Sequence, residues 1–584
     1  MAGQVRMRRE PLTRRAVWAV VVITVLSSCA MEPPPRAAES SPAKSAAAVV
    51  SPLGGYLAAR YAQAVHDYAT AARLMEQALQ RDPNNLDLIR RTFVLRVSEG
   101  RVAEAVPLAR RIVALDGNTG LAGLVLLVED IRTGNFPAAT QRIGTLASDG
   151  PQRFALPLLD AWVEAGMGHP QQAQRVLQRM GDLRGLEPLR DLHLGFIADF
   201  EGRIDVAQAA YARVLAAEPE PTWRVVEVVG NFDERHGRTN AARQLYQSFA
   251  ASDVDTDATA PGLARIAAGT VPPPLVATPR DGAAEALFDL ASLLNQSETL
   301  DASLIYARLA LALEPNFPLA QMLTAELREG EGRTEEALAL YRAIDPHSSL
   351  AWSAQLRAAF ALDTLGRTDE ALASLRTMAK ARPHRTEALV ELGDILRSHS
   401  RFAEAAQAYD AAIARLGKID KSNWVLFYDR GVALERSGDW SRAEADLKHA
   451  LALDANQPMV LNYLGYSWID KGENLTQALQ MIQRAVELRP NDGYIVDSLG
   501  WAFYRLGDFE RATHFLERAI ELLPEDPTIN DHLGDVYWRT GRLVEARSQW
   551  RRALQFGPEA REVKSIETKL DRGLAEPHQA LRGG

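Results

Sequence analysis

Two stretches near the C-terminus, "VDSLGWAFYRLGDFERATHFLERAIELLP" (496–524) and "NDHLGDVYWRTGRLVEARSQWRRALQFGP" (530–558), align residue for residue at an offset of 34. A period of that length means one supersecondary unit stacked many times, which restricts the fold more than any other property of the chain. Followed upstream, the frame puts a small-residue position at Ala59, Phe93, Leu127, Ala161, Gly195 and Gly230, then at Ala291, Ala325, Ala359, Gly393, Gly431, Gly465, Gly500 and Gly534. Twelve of these fourteen are Ala or Gly, as expected where two helices approach closely. A second position carries Ala71, Ala105, Ala139, Ala173, Ala207, Ala242, Ala337, Ala371, Ala405, Ala443, Ala478, Ala512 and Ala546, with Ser303 the sole substitution. Between the two positions stand Gly100, Gly134, Gly168, Gly202, Gly237, Gly332, Gly366, Gly438, Gly472, Gly507 and Gly541, where a helix that must reverse needs a left-handed residue. Pro83, Pro219, Pro315, Pro383, Pro490, Pro524 and Pro558 then end the second helix of their units.

These residues resemble the tetratricopeptide repeat (TPR): a small residue in helix A, a glycine at the turn, an alanine in helix B and a proline before the next unit. The expected fold is all-α, an α-solenoid of about 14 helix-turn-helix repeats, and the resemblance implies a right-handed superhelix. No unit buries its apolar face alone, so stability comes from stacking on neighbours. The frame breaks once: Gly230 and Ala291 are 61 residues apart, and the surplus is polar and proline-rich. Residues 252–282 therefore read as a linker, either a hinge or a packed surface loop, between an N-terminal array of about six repeats (53–251) and a C-terminal array of about eight (283–558). Residues 559–584 read as a capping helix and tail.

The N-terminus is of another kind. Arg6, Arg8, Arg9, Arg14 and Arg15 precede the apolar run "AVWAVVVITVL" (16–26), which is too short for a span of roughly 20 residues and reads as a signal peptide over 1–28. Leu26, Ser27, Ser28 and Cys29 resemble the bacterial lipobox, which implies lipid attachment at Cys29, the single cysteine of the chain. One cysteine also excludes internal disulfides. The absence of an acidic residue after Cys29 implies, by the same resemblance, delivery to the outer membrane, facing the periplasm. Residues 29–52 are a Pro/Ala/Ser-rich tether that cannot build a core. The net charge of −9 includes +4 from residues 1–28, so the remainder is near −13 and has no electrostatic reason to bind nucleic acid.

Repeats, signal, tether, linker and cap occupy nearly the whole chain, which leaves no room for a catalytic domain. No G-x-S-x-G, H-E-x-x-H or Walker A sequence and no cysteine pair is present, so no catalytic residue, metal or cofactor is expected. The chain reads as a binding scaffold with protein partners. In TPR arrays the positions three before and one after the small residue of helix A face the concave groove. Here they give an aromatic and acidic C-terminal groove: Asn462, Tyr466, Asp497, Trp501, Asp531 and Asp535, with Tyr494, Tyr504, Arg505 and Trp538 alongside. In the N-terminal array they give an apolar stripe, Leu124, Val128, Leu158, Trp162, Leu192 and Phe196, that suits a partner helix, the other array or a second copy.

The stretch "NYLGYSWIDKGENLTQALQMIQRAVELRPNDGYIVDSLGWAFYRLGDFERA" with "HLGDVYW" resembles more narrowly the C-terminal repeats of large outer-membrane TPR lipoproteins. Some of these are adaptors for periplasmic carboxyl-terminal processing proteases and deliver cell-wall hydrolases to them, which implies that role here. The alternatives are a structural scaffold subunit of an envelope assembly or export complex and, disfavoured by the missing motifs, an enzyme with a cryptic site.

Overall fold

The computed structural model describes residues 52–64, 67–116, 120–146, 152–182, 185–217, 220–251, 256–295 and 299–575. The expected signal peptide, Cys29, residues 29–51 of the tether and the tail beyond 575 lie outside the described residues. Among the described residues the chain forms thirty α-helices, two short 3-10 helices and no strand.

Successive helices pair as hairpins. The first six are α1 (Pro52–Ala64) with α2 (Tyr68–Arg81), α3 (Leu86–Ser98) with α4 (Val102–Asp116), α5 (Gly120–Arg132) with α6 (Phe136–Ile143), α7 (Gln152–Gly166) with α8 (Pro170–Gln178), α9 (Glu187–Phe200) with α10 (Ile204–Ala217), and α11 (Trp223–Arg235) with α12 (Thr239–Ala251). A lone helix, α13 (Thr256–Ala268), comes next. Eight further hairpins are α14 (Pro279–Asn295) with α15 (Leu300–Leu313), α16 (Pro318–Gly330) with α17 (Thr334–Ala343), α18 (Ala351–Thr364) with α19 (Thr368–Ala381), α20 (Glu387–Ser398) with α21 (Phe402–Ile413), α22 (Trp424–Arg436) with α23 (Trp440–Leu453), α24 (Pro458–Lys471) with α25 (Leu475–Leu488), α26 (Gly493–Arg505) with α27 (Phe509–Leu522), and α28 (Pro527–Arg539) with α29 (Leu543–Gln555). Helix α30 (Ala560–Arg572) closes the stack against α29. The fold is an all-α solenoid of TPR-type hairpins. Among the described residues no helix is long and apolar enough to cross a membrane.

The two periodic positions are where the hairpins close. All fourteen helix-B residues, from Ala71 to Ala546 and including Ser303, have 0% exposure. Ser303 is tolerated there because its hydroxyl donates to the Ala291 carbonyl at 2.8 Å. Opposite lies a matched pair of sizes: glycine on helix A faces a large residue four beyond the helix-B alanine. A Cβ on Gly195, Gly393 or Gly534 would stand 2.3 to 2.5 Å from Tyr211, Tyr409 or Trp550. Where helix A is large instead, at Phe93, the corresponding helix-B residue is Ala109. The eleven turn glycines have φ between +72° and +92°, and in the hairpin α20–α21, Ser400 takes the same turn at φ +58°.

The region expected as a linker holds packed structure. Helix α13 lies against α11 and α12, with Gly262 so close to Tyr246 that a Cβ would come within 2.5 Å of the ring. Arg265 of α13 donates to Glu234 of α11 at 2.7 Å. Helix α14 then enters the N-terminal array, packing on α7 with α5 and α9 on either side, while α15 meets α3, α4 and α5. Gly282 permits this: a Cβ there would sit 2.2 Å from the Trp162 ring. Polar pairs fix the seat. Trp162 Nε1 donates to His193 Nδ1 at 3.0 Å, which leaves the other ring N–H to donate to Asp289 of α14, also at 3.0 Å. Arg224 pairs with Glu285. At the other end, Arg333 bonds Glu99 through both carboxylate oxygens, at 2.6 and 2.8 Å, and Arg328, 1% exposed, bonds the Ser98 carbonyl. One continuous apolar core accordingly runs from Ala59 to Leu327 across both arrays.

Candidate protein-binding groove

The apolar stripe expected as a second groove is covered by the chain itself. Leu124, Val128, Leu158, Trp162, Leu192 and Phe196 are all buried and belong to the core that α14 and α15 complete. The physical reason is length: two helices of this chain satisfy the stripe, so it presents no open face to a partner.

The C-terminal positions come together on α24, α26 and α28, because A helices at successive repeats stand side by side. Asp497 of α26 faces His532 of α28, both of its oxygens 3.0 Å from Nδ1. Trp501 stacks on that imidazole with ring centres 4.0 Å apart and on Tyr504 at 4.7 Å, both nearly parallel. Burial opposes a charge on His532, yet the Asp497 carboxylate, with Asp531 and Asp535 beyond, holds its pKa above the ordinary histidine value. Lys569 of α30 donates to Asp531 at 2.7 Å and to Asp535 at 2.9 Å, and Asp535 also accepts from Trp550 Nε1 at 2.9 Å. Burial pushes Asp535 above the usual carboxylate range although Lys569 pulls it down. Trp538 is covered by the end of α30, since a Cβ on Gly573 would lie 1.9 Å from its ring. Arg505 bonds Asp470 at 3.0 Å.

Asp497 and Asp535 are engaged by His532, Lys569 and Trp550, while Asp531 meets Lys569 through one oxygen and keeps the other without a partner, so the groove is aromatic and amide in character with one acidic point. Burial raises the Tyr466 and Tyr504 hydroxyls above the usual phenol value. Tyr494 is 40% exposed. Three of the expected groove residues keep unused hydrogen-bonding capacity: Trp501 Nε1, a donor, and Asn462 Oδ1 and Asp531 Oδ1, acceptors, are buried and without a partner. A buried polar atom left unpaired costs about 1 to 3 kcal/mol. Among the described residues no group of three or more His, Cys, Asp or Glu is arranged to hold a metal ion.

His193 and His532 were not among the expected site residues, although each lies two positions before its repeat's glycine, Gly195 and Gly534. That register is where neighbouring A helices pair laterally. Arg357, Glu391 and Asp429 occupy it further up the array. Burial and Asp394 push Glu391 up to about 7 against the pull of Arg357. Burial likewise raises Asp429, which lies 3.6 Å from Arg397.

The Tetratricopeptide repeat family model matches residues 356–418, 428–493 and 498–561, the stretch that contains this groove. A TPR repeat-containing protein of Pseudomonas aeruginosa, PA4667, is 29% identical over 193 residues, 32% of this chain and 31% of that protein. The matched stretch thus spans about a third of the curated relative. Similar solved structures include the APC/C hetero-tetramer Cut9–Hcn1, 17% identical with a TM-score of 0.37 over 90% of this chain and 98% of that one. Yeast Tom70 is 14% identical with a TM-score of 0.34 over 89% and 95%. A MamA protein is 23% identical with a TM-score of 0.25 over 33% and 98%. On the family match and the hairpin geometry together, the chain carries tetratricopeptide repeats.

Proposed function

We propose that this chain is an adaptor that holds a polypeptide partner in the groove of α24, α26 and α28 while its N-terminus is anchored in the outer membrane through acylated Cys29. Tetratricopeptide repeats support a protein–protein interaction scaffold in general. The observation that carries the finer reading is the aromatic surface of α26, where Tyr494 is exposed and Trp501 stacks on Tyr504. The N-terminal stripe is filled by α14, so the C-terminal groove is the concave surface assigned to the partner. The protease-adaptor role rests on the resemblance of residues 462–538 to adaptor lipoproteins, with a periplasmic carboxyl-terminal processing protease and its cell-wall-hydrolase clients as partners. The alternative is a structural subunit of an envelope assembly, distinguished by what is crosslinked.

The test is crosslinking and pull-down from intact envelopes with the native chain and with Trp501→Ala and Asn462→Ala. Recovery of a protease with its clients, lost in both variants, supports the adaptor; recovery of channel or barrel-assembly subunits supports the alternative. Unchanged recovery in both variants removes the groove. Membrane fractionation of Cys29→Ala tests the anchor, and unchanged membrane association overturns it.

A further inference from the structure

The helix that ends the solenoid also enters the groove. Asp531, Asp535 and Trp538 of α28, three of the positions that register assigns to the concave surface, are met by α30. Lys569 donates to Asp531 at 2.7 Å and to Asp535 at 2.9 Å, and Gly573 lies so close to the Trp538 ring that a Cβ has no room there. The charges of α30 are felt further along the groove. Burial is the main reason the Tyr466 and Tyr504 hydroxyls are raised, but Glu562 adds to the push on Tyr466, and Lys569 draws Tyr504 down. Helix α30 is therefore an occupant of the groove as well as the end of the stack.

Its hold is slight by the standard of this chain. Helix α28 buries Ile529, Leu533, Val536 and Tyr537, whereas among the described side chains of α30 only Ile566 is fully buried, with Val563 and Leu570 half-buried. The opposite face, Lys564, Ser565, Glu567 and Thr568, is exposed. The Leu570 carbonyl accepts from Arg547 Nε at 3.4 Å, a long bond. The connection to α29 is residues 556–559, where Gly557 is left-handed at φ +73°. An element with so few buried apolar side chains opens at a lower free energy than the hairpins behind it.

An open α30 uncovers a defined surface: the carboxylates of Asp531 and Asp535, the Trp538 ring, and the apolar cluster that Ile566 and Leu570 join. Another helix satisfies that surface with the pattern of Ile566, Lys569 and Leu570, which lie on one helical face. We infer that α30 is a displaceable lid on the C-terminal end of the groove, and that the partner binds there by inserting a basic amphipathic helix, apolar at i and i+4 and cationic at i+3, in its place. The inference rests on the groove being the partner's site, and adds the class of partner and the element that gates it.

Two measurements on the full chain test this without a partner, so their failure is separable from failure of the crosslinking that tests the groove. Amide exchange in the native chain is expected to be at least about tenfold faster across α30 than across α28. Exchange of the two helices in step overturns the inference. The binding probe is a fluorescently labelled peptide of residues 559–575, whose apparent affinity scales with the fraction of chains in which α30 is open. It is expected to bind the Lys569→Met chain, confirmed folded by its melting curve, about tenfold or more tighter than the native chain. The same peptide carrying Lys569→Glu is expected to bind the Lys569→Met chain about tenfold or more weaker. Equal affinity for the two chains, no binding to either, or indifference to the charge reversal overturns the inference. Dimerisation of the native chain that the peptide reverses gives the seat to another copy's α30 and overturns its assignment to a partner.

Discussion

Ser400 occupies a left-handed turn that glycine fills in eleven other hairpins. A residue with a Cβ costs roughly 1 to 2 kcal/mol there, an advantage for glycine that its greater unfolded-state entropy partly offsets. Ser400→Gly should therefore raise stability by about 0.5 to 1 kcal/mol, read from the midpoint of denaturant unfolding. Glu391 sets a pH dependence. Its folded pKa, about 7, lies above the unfolded carboxylate value, so the folded chain binds the extra proton and this contribution to stability is full at low pH and lost as pH rises toward 7. Glu391→Gln should flatten stability between about pH 4.5 and 7 and leave the variant more stable at pH 8 by about 1 to 3 kcal/mol. A variant less stable than the native chain at pH 8 would show that the pull of Arg357 outweighs burial.

At the scale of elements, α30 holds the last repeat through Ile566 and Leu570 in the core and through one cation, Lys569. Lys569→Met leaves Asp531 and Asp535 facing one another without a counter-charge and should cost about 2 to 3 kcal/mol, with faster amide exchange in α28 and α30. Adding Asp531→Asn and Asp535→Asn should recover part of that loss. The hairpins were legible from the sequence because each closes on a buried helix-B alanine or serine that recurs at a fixed interval, opposite a helix-A position that is Ala or Gly in twelve of fourteen repeats, so period and structure are the same information. Helix α13 was hidden by its polar flanks and Pro261, although Ala258, Gly262 and Ile266 recur every four residues, the spacing of one helical face. The aromatic groove positions were readable from register alone. Their charge state was not: Asp497, Asp531 and Asp535 are answered by His532 on the adjacent A helix and by Lys569 on α30, and a concave position is also a lateral one.

At the scale of the molecule, the seat of α14 was out of reach of any repeat-based reading, because Trp162, His193, Gly282 and Asp289 meet through a break in the period. It makes the first six hairpins dependent on helices encoded later in the chain. Residues 52–251 expressed alone should expose the stripe from Leu124 to Phe196 and aggregate on size-exclusion chromatography, whereas residues 52–345 should elute as a discrete species. Gly282→Val in the full chain, by displacing α14 from Trp162, should raise amide exchange across α5, α7 and α9 and cost about 2 to 3 kcal/mol.

That seat also has a schedule. A chain emerging N-terminus first presents the six leading hairpins before residues 279–313, so it carries an unfilled apolar trough until its own later segment arrives to fill it. Closure over such a sequence separation is slow compared with zipping one hairpin onto the next. The interval between emergence and closure is the period in which this protein is most exposed to proteolysis and to pairing with a neighbouring nascent chain.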